Sequence, residues 1–90
     1  MMMHVNRKDN LFFIGDVSSP KGQMTYVENG DQIIIDHTEV IEELQDEGAG
    51  KQLVDAAVKY ARANNKKILP ICPFVKKVID ETPHYQDVLA

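Results

Sequence analysis

The segment Val40-Ile41-Glu42-Glu43-Leu44-Gln45-Asp46-Glu47-Gly48-Ala49-Gly50-Lys51 joins two kinds of sequence. Before it runs a β-branched stretch centred on Ile33-Ile34-Ile35, which reads as a strand. After it, Gly50, Leu53, Val54, Ala57, Val58 and Ala61 recur at helical spacing, with Lys51, Asp55, Lys59 and Arg62 on the opposite face. The joint itself carries Gln45-x-x-Gly48-x-Gly50. A glycine-rich turn that opens a helix presents backbone N–H groups without intrahelical partners at the positive end of the helix dipole. Such a place suits a phosphate or pyrophosphate, so the chain is a candidate binder of a phosphate-bearing cofactor.

Working towards the N-terminus, the pattern predicts four strands: residues 4–8, 11–15, 23–28 and 32–38. Asp9-Asn10 and Asn29-Gly30-Asp31 read as tight turns. Residues 16–22, with two serines, a proline and a glycine, read as a loop. This half is an antiparallel meander. Working towards the C-terminus, Asn64-Asn65 ends the helix and residues 67–72 form a fifth strand, in which Pro70 suits an edge, a bulge or a splayed strand. Pro73 opens a short helix to about residue 81, Pro83 ends it, and residues 85–89 read as a final extended segment. A strand, a crossover helix and a further strand run parallel. The expectation is an α+β domain with a mixed sheet: a meander, then strand-helix-strand-helix.

Ninety residues make one domain, 1–90, with a thin core. With 14 acidic and 10 basic residues the net charge is -4, which argues against nucleic acid or an anionic membrane as partner and tolerates a cationic one. Cys72 is the single cysteine, so no internal disulfide forms, and a cytoplasmic, reducing setting is expected. Residues 1–3 are followed by His4, Arg7, Lys8 and Asp9 without an apolar h-region, so no signal peptide is expected. The apolar runs are too short to span a bilayer. His4, His37 and His84 are too scattered to suggest a metal site.

The joint, with Val40 at the strand end and Gln45, Gly48 and Gly50 in the turn, resembles motif A of the GNAT superfamily of acetyl-CoA-dependent N-acetyltransferases. Asp36-His37-Thr38-Glu39-Val40, Cys72-Pro73-Phe74 and Tyr85-Gln86-Asp87 resemble a subgroup of very small GNAT-like domains, and with them the likeness covers nearly the whole chain. The departures are Glu42, where the family often has proline, and Asp46 and Glu47 in a turn that is often basic. The resemblance implies a minimal GNAT fold that binds acetyl-CoA or coenzyme A and passes acetyl to an amine, here unidentified. The alternative is a CoA-binding sensor without catalysis. A domain of this kind stands alone or pairs weakly through sheet edges.

By the same resemblance, Gln45, Asp46, Glu47, Gly48, Ala49, Gly50 and Lys51 would cradle the pyrophosphate, Val40 would meet the pantetheine arm, and Phe74 would pack on the cofactor or in the core. Cys72 precedes Pro73, near a helix N-cap that favours a thiolate. It is a candidate acetyl acceptor, a pantetheine contact, or a small buried hydrophobe. His37 and Glu39 are candidate general bases if they share one strand face, against a structural histidine and a solvated glutamate. Lys76 and Lys77 would approach a 3′-phosphate or lie solvated. Tyr85 is a general acid or a packing residue.

Overall fold

A computed structural model of the chain describes residues 4–90; residues 1–3, with the reading of them as free of a signal peptide, lie outside it. Five strands form one sheet in the order β1-β2-β3-β4-β5, where β1 is Val5–Lys8, β2 Leu11–Asp16, β3 Ser19–Asn29, β4 Gln32–Val40 and β5 Lys67–Pro70. The first four pair antiparallel, and β5 lies parallel to β4. Two-residue turns close all three hairpins: Lys8 faces Leu11, Asp16 faces Ser19 and Asn29 faces Gln32. Asp9 and Gly30 take positive φ (53° and 62°), as tight hairpin turns require.

Residues 16–22 are therefore not a loop. Asp16 Oδ1 accepts bonds from the Ser18 N–H (3.0 Å) and the Ser18 hydroxyl (2.9 Å), a side-chain-built turn that lets the hairpin close tightly. The register slips after Ile14, where Gly15 has φ +90° and Lys21 is left over as a bulge residue. That slip breaks the alternation that would have marked the strand.

The helices are α1 (Glu42–Gln45), α2 (Ala49–Ala63) and α3 (Pro73–Asp80). Leu53, Val54, Ala57, Val58 and Ala61 of α2, and Val75, Val78 and Ile79 of α3, pack with Met24, Tyr26, Ile33, Ile35 and Ile68 in a single core. On the strands, side chains alternate between this face and the other, where Val27 and Leu69 are exposed. No helix among the described residues is long and apolar enough to cross a membrane.

The segment expected to be extended at 85–89 is instead a 3-10 helix, Pro83–Val88. Pro83 sets φ at its start, and the helix is fastened by side chains: Tyr85 to Asp55, and Asp87 to Arg62. Beyond it, Leu89 bridges Ile68, and the Ala90 N–H bonds the Ile68 carbonyl (2.8 Å) on the outer edge of β5. Pro70 belongs on this edge. Because Ile71 N–H points to β4, the neighbouring position 70 points away from it, where a missing donor leaves no ladder bond unmade.

Candidate functional site

The two parallel strands separate after Ile35. The last β4–β5 pair is Ile35 with Pro70, and the N–H groups of Ile71 (3.0 Å) and Cys72 (3.1 Å) both converge on the Ile35 carbonyl. There the chain leaves the sheet, and Pro73 starts α3, so β5 ends short of the expected residue 72. β4 continues to Val40 still paired with β3, and among the described residues its β5-side backbone edge has no strand partner over that stretch.

A bulge at Asp36 sits at the parting point. Thr25 pairs with His37 while Tyr26 pairs with Ile35, which leaves Asp36 extra; the Thr25 hydroxyl holds its carboxylate at 2.6 Å. The bulge reverses the facing of everything after it. Thr38 and Val40 turn to the cleft, and His37 and Glu39 share the opposite, exposed face. The bulge precedes both, so it does not separate them. The Gln23 side-chain amide donates to Glu39 at 3.1 Å.

At the far end of the unpaired edge, α1 turns the chain. The Gln45 amide donates to the Val40 carbonyl at 3.0 Å, tying the turn to the strand end. Gly48 is the N-cap of α2 with φ +77°, and the first intrahelical bond runs from Gln52 N–H to Gly48 C=O at 3.1 Å. The N–H groups of Ala49, Gly50 and Lys51 thus precede the first helical bond. Ala49 is fully buried, while Asp46, Glu47 and Lys51 are exposed. Glu42, Glu43, Asp46 and Glu47 make this rim acidic, and the ion pairs found among the described residues lie elsewhere.

Thr38, Val40, Gln45, Gly50 and Phe74 line a half-open cleft of about 350 Å³. Cys72, 8% exposed, caps α3 beside it, and its thiol lies 3.6 Å from the Thr38 hydroxyl. The fold thus brings Val40, Gln45, Gly50 and Phe74 together at one cleft, with Cys72 bonded to a residue of its wall. His37 and Glu39 lie across the strand. Thr38 was missed by sequence reasoning; only the bulge, which the sequence does not announce, turns it inward.

The remaining candidates lie elsewhere. Lys76 pairs with Asp80 on its own helix at 2.7 Å, and Lys77 is exposed. The Tyr85 hydroxyl donates to Asp55 on α2 at 2.7 Å; burial, reinforced by that bond, pushes its pKa up to about 12. Among the described residues no group of three or more His, Cys, Asp or Glu side chains is placed to hold a metal ion.

A search of curated proteins gives no match. Among solved structures, a GCN5-like candidate N-acetyltransferase from Staphylococcus aureus, determined by NMR in solution, superposes with a TM-score of 0.82 at 38% identity, over 98% of this chain and 88% of that one. The family model described as GCN5-related N-acetyl-transferase matches residues 12–88. The α+β fold with its mixed five-stranded sheet is that of this family, and the chain belongs to the GCN5-related N-acetyltransferases.

Proposed function

We propose that the chain binds acetyl-CoA in the cleft between β4 and α3 and transfers its acetyl group to an amine. The observation that carries this reading is the unpaired edge of β4 after Ile35, with the N-terminus of α2 at one end and the Cys72–Thr38 contact at the other. The residues present fit such a ligand. Gly48 has no heavy atom within 4 Å of where a Cβ would lie, so the turn stays open beside the first N–H groups of α2, which suit a diphosphate. Asp46 and Glu47 oppose a diphosphate by like charge, and their exposure lets water screen that effect. The net charge of -4 favours a cationic amine as acceptor.

In this proposal residues 45–51 hold the diphosphate, Val40 meets the pantetheine arm through its backbone, Phe74 forms a wall and Cys72 with Thr38 lies at the thioester. The amine attacks the carbonyl carbon, the C–N bond forms, and the C–S bond breaks to release CoA as thiolate. If the amine arrives through the gap between the parted strands from the far face of β4, Glu39 or His37 on that face would take its proton, directly or through water. Backbone N–H groups of the free strand edge would polarise the carbonyl. Direct attack is favoured over an acetyl-cysteine because the polar partner found for the Cys72 thiol is the Thr38 hydroxyl, not a base.

Thermal unfolding with coenzyme A, and separately with acetyl-CoA, tests the cofactor site. Ligand at about a hundred times its Kd stabilises by roughly 2.7 kcal/mol, a rise on the order of 10 °C in a domain of this size. No rise with either ligand at millimolar concentration removes the proposal. A screen of amines for CoA thiol release then tests transfer; tight binding with no transfer to any amine would leave a sensor. Cys72→Ala should retain single-turnover transfer. Loss of transfer with retained CoA binding, together with an acetylated Cys72 detected by mass spectrometry in the wild type, would instead support the covalent route.

A further inference from the structure

Gly50 and Phe74 meet across the cleft. Gly50 is the second residue of α2 and Phe74 the second residue of α3, so each belongs to a different wall. A Cβ at position 50 would lie 2.6 Å from Phe74 Cζ and 2.8 Å from Cε2, closer than atoms pack. Position 50 is not among the glycines of positive φ, so its backbone does not demand glycine; a methyl there would meet the far end of the exposed Phe74 ring, which would have to shift. Gly48 is the converse case, with φ +77° and open space around it. The two glycines of the turn therefore answer different needs, and only one of them concerns the backbone.

Cys72, the N-cap of α3, and Phe74, its second residue, both touch the facing elements. Cys72 meets Thr38 on β4 at 3.6 Å, and Phe74 meets Gly50 on α2. Pro73 between them fixes φ at the start of the helix, so Cys72-Pro73-Phe74 is a short, stiff bridge over the cleft. Phe74 is 40% exposed and stands outside the hydrophobic core, so its ring is free to leave Gly50 without emptying the interior.

We infer that Phe74 is a clasp on the cofactor's path: its ring leaves Gly50 when coenzyme A enters or departs, and the Gly50–Phe74 contact sets the rate of that exchange. This rests on the cofactor reading above. It assigns to Gly50 the seating of a ring, where the glycine motif alone suggests room for a phosphate.

The test is stopped-flow binding of coenzyme A to the wild type, Phe74→Ala, Phe74→Leu, Gly50→Ala and the Gly50→Ala/Phe74→Ala double variant. Circular dichroism melts confirm that each is folded, and the leucine variant serves if alanine fails. Removing the ring should raise the association rate constant by about tenfold or more, with dissociation rising alongside. Gly50→Ala should push the ring aside and raise association in the wild type, yet change nothing further once Phe74 is gone. An unchanged association rate in both Phe74 variants, with faster dissociation alone, would make the ring a plain wall and overturn the clasp. A loss of affinity from Gly50→Ala that is equal with and without Phe74 would return Gly50 to the phosphate and also overturn it. A wild type that binds no coenzyme A overturns the cofactor reading and the clasp together, so the two failures are distinguishable.

Discussion

Gly48 and Gly50 look alike in the sequence and differ in the folded chain. At Gly48 an added methyl meets nothing but is held at φ +77°, so Gly48→Ala should destabilise by about 1 kcal/mol through the backbone alone. At Gly50 the added methyl meets the Phe74 ring, while alanine improves helix propensity by up to about 1 kcal/mol. The two substitutions should separate in a double-mutant cycle with Phe74→Ala, read by urea unfolding. Positions 50 and 74 should couple by about 1 kcal/mol, and positions 48 and 74 by less than about 0.5 kcal/mol. Equal coupling would mean that the ring contact has no energetic meaning. The need for glycines in the turn was legible from their spacing; the reason for the second was not, because Phe74 lies far along the chain. Thr38 was illegible for a related reason. Its facing depends on one extra residue, Asp36, whose bulge is secured by Thr25 on another strand.

Among the elements, those with strong periodicity could be read directly. The buried face of α2, the Ile33-Ile34-Ile35 strand and the parallel placement of β5 follow from local pattern and crossover length. Elements held by side-chain bonds between distant residues could not. The hairpin at residues 16–19 depends on Asp16 folding back onto Ser18, which a composition rich in Ser, Pro and Gly hides. The C-terminal 3-10 helix depends on α2. Arg62 donates to both Asp87 oxygens (2.9 and 2.7 Å) and to the His84 carbonyl, and these bonds hold the helix to the domain. Arg62→Gln should therefore speed amide exchange across residues 83–90 while leaving the sheet amides of β3 and β4 protected. Unchanged exchange in the tail would show that the apolar contacts of Tyr85 and Val88 suffice to hold it.

For the whole molecule, one sheet face carries both longer helices, and the pH range of stability is set partly where the C-terminal helix meets α2. Tyr85 is 8% exposed and donates to Asp55. Burial, then the bond to Asp55, raises the Tyr85 pKa from 10.0 to about 12, so the folded state binds this proton more tightly than the unfolded chain does. Its contribution is complete below pH 10 and is lost as the pH rises towards 12. Asp55 moves the other way. Burial alone would raise its pKa, but the bonds from Tyr85 and Lys59 outweigh that and lower it from 3.8, so its contribution holds above that value and is lost as the pH falls further. Tyr85→Phe keeps the ring and removes the bond. The difference in unfolding free energy between wild type and Tyr85→Phe should be steady from about pH 5 to 9 and, on the acid side, shrink below the ordinary carboxylate range. In alkali the full linkage term of the tyrosine, on the order of 1–3 kcal/mol, should disappear between pH 10 and 12. Urea unfolding at about pH 2.5, 3.5, 5, 7, 9, 10.5 and 11.5 reads both limbs. A difference that stays constant through the alkaline points would mean that the hydroxyl bond is not the source of the wild type's stability there, and that the tail is held by Arg62 and apolar packing alone.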